Sequence, residues 1–267
     1  MIITPDSDLK DVKQLDIVVN RAIVPDDPPP AYSTPDSQVA TSSTPQTILL
    51  PPVLPPADVK PSNFLSLSRG NGSVKGSYVI DPRVIVPSLM LPPLTADETE
   101  ATRRNVFLHT SNGSIDVDLW VLGDADSKVK VNMLIKTSNG SLTAKLHAAP
   151  SARPPIHLKA QSSNGSITLH LPRSFRGPVT ILSRNGTIRF SSAVGAATTT
   201  FSEADHTRRC FVGDFSDWTD DGAWMGDEAS IESSNGSVKV QFDAEPRAPD
   251  GGNGKGKGTF LGRLLGL

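Results

Sequence analysis

The stretch IHLKAQSSNGSITLHL, residues 156–171, contains the pattern from which the fold can be inferred. It has a Ser-rich strand end, then Asn-Gly-Ser, then alternating apolar residues. The same phrase, with Ser or Thr after Asn-Gly, recurs along the chain. Its turn residues are Asn71-Gly72, Asn112-Gly113, Asn139-Gly140, Asn164-Gly165, Asn185-Gly186 and Asn235-Gly236.

Each Asn-Gly pair predicts a tight turn, because both residues tolerate positive φ with little strain. Counted from the Asn, positions −4, +3, +5 and +7 are mostly apolar. If Asn and Gly form a two-residue hairpin loop, position −4 faces position +5 on one side of a sheet. Leu108 would then oppose Val117, Ile135 would oppose Ala144, and Ile231 would oppose Val240. The intervening polar residues predict that the other side is solvated.

The spacing of the repeats favours stacking. Successive Asn residues are separated by 41, 27, 25, 21 and 50 residues. The middle intervals are typical of an array in which each repeat adds one coil or one pair of strands. We therefore predict an all-β domain in which strand–(Asn-Gly)–strand units stack as an elongated β-solenoid or roll. An antiparallel β-sandwich built from hairpins is the alternative.

The repeated phrase also matches the glycosylation sequon N-x-S/T. The simpler interpretation is that Gly follows Asn for the turn and Ser or Thr begins the next strand. The start, MIITPDSDLK, lacks a basic region followed by an apolar core, so we expect no secretory signal. No stretch approaches the length of a membrane-spanning helix, about 18 apolar residues. The sequence therefore predicts a cytoplasmic protein, and an exported, glycosylated adhesin or cell-wall protein is an alternative.

Composition divides the chain into three parts. Residues 1–60 are acidic and proline-rich and are predicted to be disordered. Residues 61–245 form the repeat domain, with an insertion at 191–229. Residues 246–267 are a Gly/Lys linker followed by a short apolar tail. Residues 259–267 place apolar side chains near Lys and Arg, which predicts a weak contact with a membrane or a partner there.

The amino-terminal tail contains the motif Pro-Pro-x-Tyr, which WW domains recognise. Pro29 and Pro30 would lie in a preformed left-handed helix that docks on an aromatic groove, and Tyr32 would fill a neighbouring pocket. This motif predicts a WW-domain partner. The protein would then be a non-enzymatic interaction or scaffold protein, and a ubiquitin-ligase adaptor is one form of that function.

Other candidate chemistry is sparse. The net charge of −2 does not favour nucleic-acid binding. The single cysteine, Cys210, excludes an intrachain disulfide and is interpreted as a small buried side chain. We find no motif for a zinc site, a P-loop or a nucleophilic serine, and therefore expect no metal, cofactor or catalytic residue. The histidines have no metal-ligand spacing and are expected at the surface: His109, His147, His157, His170 and His206.

The segment 211–228 is acidic and aromatic. Its aromatic residues are Phe211, Phe215, Trp218 and Trp224, and its acidic residues are Asp214, Asp217, Asp220, Asp221, Asp227 and Glu228. We interpret it as a lid that covers one end of the sheet, as an array requires. A calcium loop or a carbohydrate platform is the functional interpretation, although Asp217–Gly222 does not match EF-hand spacing. A carbohydrate-active β-helix enzyme is accordingly a third alternative.

Two runs carry a resemblance to known families. They are SSNGSITLHLPRSFRGPVTI, residues 162–181, and FVGDFSDWTDDGAWMGDEASIESSNGSVKV, residues 211–240. With the PPPAY motif of the tail, they resemble an uncharacterised fungal family that pairs a proline-rich tail with a repeated Asn-Gly domain. The domain is also distantly similar to bacterial putative adhesins of the toastrack type. This resemblance implies stacked β structure and carries over no catalytic residue.

Overall fold

The computed structural model describes residues 54–95, 98–124, 130–149, 153–216, 218 and 224–245. Within these ranges the regular secondary structure is almost entirely β-strand. The strands are β1 (Pro61–Ser62), β2 (Leu65–Asn71), β3 (Val74–Ile80), β4 (Val106–Asn112), β5 (Ile115–Val121), β6 (Val131–Asn139), β7 (Leu142–Ala148), β8 (Ile156–Asn164), β9 (Ile167–Leu171), β10 (Gly177–Ser183), β11 (Ile188–Phe190), β12 (Thr198–Ala204), β13 (Thr207–Val212), β14 (Glu228–Asn235) and β15 (Val238–Phe242). The helical elements are α1 (Ser192–Ala196) and two 3₁₀ turns, Ser88–Met90 and Glu100–Thr102.

The strands form two sheets. One has seven strands in the order β1-β3-β5-β7-β9-β15-β11, and the other has eight in the order β12-β13-β10-β14-β8-β6-β4-β2. Neighbouring strands are parallel, except that β13 runs antiparallel to β10 and β12. Each repeat contributes one strand to each sheet, and the Asn-Gly corner joins them. The predicted stacked, all-β architecture is therefore confirmed.

The hairpin pairings of the alternative, the antiparallel sandwich, do not occur. Leu108 in β4 pairs in parallel register with Leu67 and Ile135, its counterparts in the neighbouring repeats. Val117 in β5 likewise pairs with Ala144 rather than with Leu108. The strands on the two sides of a corner lie in different sheets, so their apolar side chains meet face to face across the core.

The apolar positions inferred from the sequence do form the core. Leu108, Ile135 and Val240 are each fully buried, and the adjacent residues in their strands face outward. Complete burial of such a side chain stabilises the fold by roughly 1.5–3 kcal/mol. The core extends through every repeat as one cluster. Burial parity was therefore predictable even though strand pairing was not.

An asparagine ladder follows the corners. Asn112 donates its Nδ2–H to Oδ1 of Asn71 at 2.9 Å, and Asn139 donates in the same way to Asn112 at 2.8 Å. The remaining rungs continue in the same direction, at 2.8 to 2.9 Å, through Asn164, Asn235 and Asn185. The ladder fixes the order of the repeats: the sixth lies between the fourth and the fifth.

Glycine is required at the corners because neighbouring backbones approach closely. A Cβ atom on Gly140 would overlap the carbonyl oxygen of Gly113, nearer than the 3.0 Å that real Cβ atoms respect. Positive φ is not the reason, contrary to the sequence interpretation. Gly72 has φ of 101°, but the corner asparagines and the other corner glycines lie outside the left-handed region.

In every repeat after the first, a Ser or Thr hydroxyl two residues before the Asn also joins neighbouring repeats. Thr110 Oγ donates to the carbonyl oxygen of Gly72 at 2.8 Å, and Thr137 Oγ donates to that of Gly113 at 2.9 Å. In the first repeat this position is Arg69, which is exposed and has no preceding corner to bond. The close approach of neighbouring corners would bury the glycine carbonyl group without a hydrogen-bond partner, and the Ser or Thr hydroxyl supplies one.

A buried ion pair lies at the opposite ends of these strands. Arg153, just before β8, donates both terminal N–H groups to the carboxylate of Asp227, each at 2.6 Å. Asp227 precedes β14 and also accepts the backbone N–H groups of Ile156 at 2.9 Å and Arg176 at 3.0 Å. These contacts hold the inserted strand β14 between β8 and β10. Among the described residues, no helix has the length and apolar character needed to cross a membrane.

Candidate functional site

An open groove of about 680 Å³ lies on the outer face of the eight-stranded sheet. Outward side chains of β4, β6 and β8 form its floor, and Thr95, Thr102 and Arg104 form one side. The floor consists of the side chains Phe107, His109, Asn132, Leu134, Lys136, His157, Lys159 and Gln161. We call this feature the basic groove.

Parallel register arranges the floor in rows that cross the strands. Phe107, Leu134 and Lys159 are direct neighbours in one row. His109 and Lys136 are neighbours in the next row. All five are outward positions, because the residues between them face the core. The groove thus combines an apolar patch with basic side chains on a rigid sheet.

The charged side chains that line the groove are basic. Lys136, Lys159 and Arg104 line it, and no carboxylate does. Carboxylates lie at its border: Glu232 Oε1 is 3.7 Å from Lys159 Nζ, and Glu98 Oε1 is 3.4 Å from Arg104 Nη1. Lys136 is exposed and forms no ion pair with any described residue. A cation without a partner on such a surface is available to an anionic ligand.

Glu98 is held in its charged form beside Arg104. Burial by itself raises the pKa of Glu98, but hydrogen bonds from Thr95 and from the backbone of Arg104 outweigh that effect and lower it. The backbone bonds are short, with Thr95 N and Arg104 N at 2.9 and 3.0 Å from the carboxylate oxygens. Glu98 therefore positions the Arg104 segment along the groove.

The imidazole rings of the groove are also held in place. His109 Nδ1 lies 3.2 Å from Ser68 Oγ, and its ring stacks on Phe107 with a centroid distance of 6.3 Å. His157 Nδ1 lies 3.1 Å from Asn132 Oδ1. The groove therefore presents flat rings and polar atoms in fixed orientations. Within the described ranges, no cluster of three or more His, Cys, Asp or Glu residues could hold a metal ion.

The sequence matches one family model, described as Domain of unknown function (DUF7330), over residues 63–245. The chain belongs to this family. Among curated proteins, none matches the sequence. Among solved structures, this chain is similar to the crystal structure of a putative cell adhesion protein from Clostridium sporogenes. The identity is 10%, the coverage is 69% of this chain and 96% of that chain, and the TM-score is 0.31.

The predicted partner motif lies outside the described residues. Pro29, Pro30 and Tyr32 precede the first described residue, Leu54, and the apolar tail 259–267 follows the last. The WW-domain interaction, the disorder of the tails and the tail contact therefore remain predictions. The predicted turn residues, in contrast, all lie at the corners of the DUF7330 domain, where the asparagines stack in a ladder.

The aromatic segment forms a cluster on the outer face of β13. Phe211 is buried there, and the rings of Phe215, Trp218 and Trp224 have centroids 5.1 to 5.9 Å from it. Phe215 and Trp218 remain 41% and 44% exposed. The cluster covers part of a sheet face in the DUF7330 domain. Asp217, Asp220 and Asp221 lie outside the described residues.

The prediction that the histidines lie at the surface is wrong for His147, which is buried. It lies on the outer face of β7 but is 8% exposed, because the ring of Trp120 stacks on it at 4.1 Å. Its Nδ1 is 2.6 Å from Asp243 Oδ2, and its Nε2 is 3.4 Å from Asp118 Oδ1. Both ring nitrogens therefore contact carboxylates. The group fastens the chain after β15 to the seven-stranded sheet.

The predicted positions of two other histidines and of the cysteine agree with the structure of the DUF7330 domain. His109 and His170 do face outward, as expected, and burial lowers the pKa of His170. Cys210 is buried as predicted, and burial raises the pKa of its thiol to about 11. The thiol lies 3.4 Å from the carbonyl oxygen of Val179. It is a core side chain in this geometry.

Sequence reasoning did not identify the basic groove, although a signal for it was present. Phe107 and Leu134 lie five residues before an Asn, out of phase with the core positions. In other repeats that position is polar, as in Ser66 and Ser230. Leu134 lies two residues before Lys136 on β6, and apolar residues at outward positions beside a cation predict a binding surface rather than a core.

Proposed function

We propose that this protein is a non-enzymatic interaction protein. Its DUF7330 domain binds a macromolecular ligand along the basic groove, and its tail offers Pro29-Pro30-Ala31-Tyr32 to a WW-domain partner. The groove is the observation that carries the proposal. Apolar, aromatic and basic side chains occur together there on one outward face, and the cation of Lys136 has no ion-pair partner among the described residues.

The framework of the groove supports a binding role. Strands β4, β6 and β8 are paired on both edges, and the asparagine ladder ties their ends together. A surface built on such strands loses little conformational entropy when it binds, so more of the contact energy becomes affinity. The ordered rings of His109 and His157 fit the same requirement.

The tail would supply a second, independent contact. A Pro-Pro-x-Tyr segment needs only a few residues of extended chain for recognition, so it can act without any contact with the domain. A chain with both sites would bring a WW-domain protein to whatever the groove binds. This is the arrangement of a scaffold or adaptor.

Both halves of the proposal can be tested on the full chain. A Tyr32→Ala variant should lose binding to a labelled WW domain of the class that recognises Pro-Pro-x-Tyr. A Lys136→Glu variant should lose ligands found for the wild type on arrays of glycans and peptides. Lys239→Glu is the matched control, because Lys239 is also exposed on a central strand but on the other sheet. If every array ligand bound Lys136→Glu as well as the wild type, the groove would not be the binding site.

A further inference from the structure

We infer that the ligand of the basic groove is an acidic polysaccharide, a chain of sugar rings that carry carboxylates. This inference rests on the proposed function of the groove as a binding site. It adds the chemical class of the ligand, which comes from the charge of the groove, the arrangement of its rows and the atoms it exposes.

Charge selects an anion. The side chains that line the groove include Arg104, Lys136 and Lys159 and no carboxylate. Lys159 Nζ is 3.7 Å from Glu232 Oε1. An ion pair at this distance near the surface is weak, so a ligand carboxylate can compete with Glu232 for Lys159. Lys136 forms no ion pair with the described residues and would bind a ligand carboxylate directly.

The row pattern suits a repeating polymer. Lys136 and Lys159 lie on adjacent strands, in neighbouring rows. Adjacent strands are about 4.8 Å apart, so a chain that crosses β4, β6 and β8 meets a new set of side chains at each regular step. Phe107 and Leu134 supply an apolar surface between the cations, against which the apolar face of a sugar ring can pack.

The exposed atoms favour sugar over peptide. An extended peptide that adds to a sheet obtains affinity from hydrogen bonds to an open strand edge. Strands β4, β6 and β8 have neighbours on both edges, so their backbones offer no such bonds. The groove offers side-chain groups instead. Gln161 Nε2 donates to Glu232 at 2.7 Å and His157 Nδ1 contacts Asn132 Oδ1 at 3.1 Å, and the remaining amide groups of Gln161 and Asn132 match hydroxyl and carboxylate groups.

The test uses affinity electrophoresis of the full chain in gels that contain polygalacturonate, neutral β-glucan or poly-glutamate. Wild-type protein should be retarded by polygalacturonate, and added salt should weaken the retardation because the contacts are charged. Lys136→Glu should bind about tenfold more weakly, as expected for a lost charge-assisted contact. Lys239→Glu should behave as wild type. Phe107→Ser should also weaken binding, and it is a mild change because Ser66 fills the same position in β2.

The outcomes separate this inference from the proposal beneath it. If neutral glucan or poly-glutamate bound in a Lys136-dependent manner and polygalacturonate did not, the acidic-polysaccharide inference would be wrong and the groove would remain a binding site. If polygalacturonate retarded wild type, Lys136→Glu and Phe107→Ser equally, the polysaccharide would bind elsewhere, and both the groove as its binding site and this inference would be wrong. If no gel retarded the wild type, the inference would be wrong. Circular dichroism of each variant shows whether a loss reflects unfolding.

Discussion

Asn235 donates its side-chain N–H to Oδ1 of Asn164 at 2.8 Å, across 71 residues of sequence. Asn185 in turn donates to Asn235 at 2.9 Å. The last repeat is therefore inserted between the fourth and the fifth. The chain leaves β11, forms α1 and the pair β12–β13 at the edge of the eight-stranded sheet, and returns to fill the gap.

This insertion makes the final repeat part of the core rather than an addition at one end. Strand β14 pairs with β8 on one side and β10 on the other. Stability of the whole stack therefore depends on contacts made by residues that are distant in sequence. The Arg153–Asp227 pair and the corner glycines are the clearest of these contacts.

The corner glycines should be more sensitive to substitution than glycines in open space. Gly140→Ala places a Cβ atom against the carbonyl oxygen of Gly113, and neither backbone can move without breaking the ladder. We expect a loss of about 1–3 kcal/mol in the free energy of unfolding, measured by urea denaturation. Gly195→Ala is the control, because nothing lies within 4 Å of that position in α1, and it should be neutral or stabilising. Equal effects of the two substitutions would contradict the close-approach explanation.

The buried ion pair should be costly to break from one side. Asp227→Ala leaves the guanidinium of Arg153 buried without a counter-charge and removes acceptors for the N–H groups of Ile156 and Arg176. We expect a loss of about 3–5 kcal/mol in urea unfolding. Adding Arg153→Met should recover part of it.

The pair Arg208–Glu203, in which the glutamate is exposed, provides the comparison for that experiment. Its carboxylate is largely solvated, so Glu203→Ala should change the unfolding midpoint much less than Asp227→Ala. A double variant of Arg153 and Asp227 that is no more stable than Asp227→Ala alone would show that the unpaired charge is not the cause.

Asp243 should make part of the stability depend on pH. Burial alone would raise its pKa, but the hydrogen bond and charge of His147 outweigh burial and lower the pKa below the usual 3.8. A carboxyl with a lowered pKa in the fold stabilises it above the unfolded pKa, and this contribution is lost as pH falls through the folded pKa. Wild type should therefore be more stable than Asp243→Asn at pH 6, with the difference shrinking toward pH 3.

Urea unfolding at several pH values measures that difference. Asp116→Asn is a suitable control, because it removes one carboxylate from an exposed position on the same face of the seven-stranded sheet. A gap between wild type and Asp243→Asn that stayed constant down to pH 3 would mean that the contact with His147 does not depend on the charge of Asp243.

Cys210 should be almost inert in the folded protein. Burial raises its pKa to about 11, so at pH 8 only about one molecule in a thousand carries the thiolate that reacts. Iodoacetamide should modify it slowly under native conditions and rapidly in urea. A Thr199→Cys variant provides an internal control, because Thr199 is exposed on the neighbouring strand and its thiol should react at once. Rapid native labelling at Cys210 would contradict its burial.

The candidate site was only partly open to prediction. The alternation of apolar residues along each repeat predicts which positions are buried, and the positions between them must then face outward. Phe107 and Leu134 broke the polar pattern of the outward face, but their proximity to Arg104 and Lys159 depends on which strands are neighbours. Similarly, the local sequence predicts an ordinary outward position for His147, because nothing near it in sequence indicates the contact with Asp243.

The sequence by itself determined the repeat unit, the burial parity and the positions of the corners, because these depend on a period of two and on local residue types. The tertiary structure decided that each corner joins two sheets, and that the sixth repeat lies beside the fourth. A hairpin and a corner bury the same apolar residues, so the pattern cannot distinguish them. Extending a loop adds little entropic cost, so neighbouring strands are selected by long-range packing, by the amide ladder and by the Arg153–Asp227 pair rather than by sequence order.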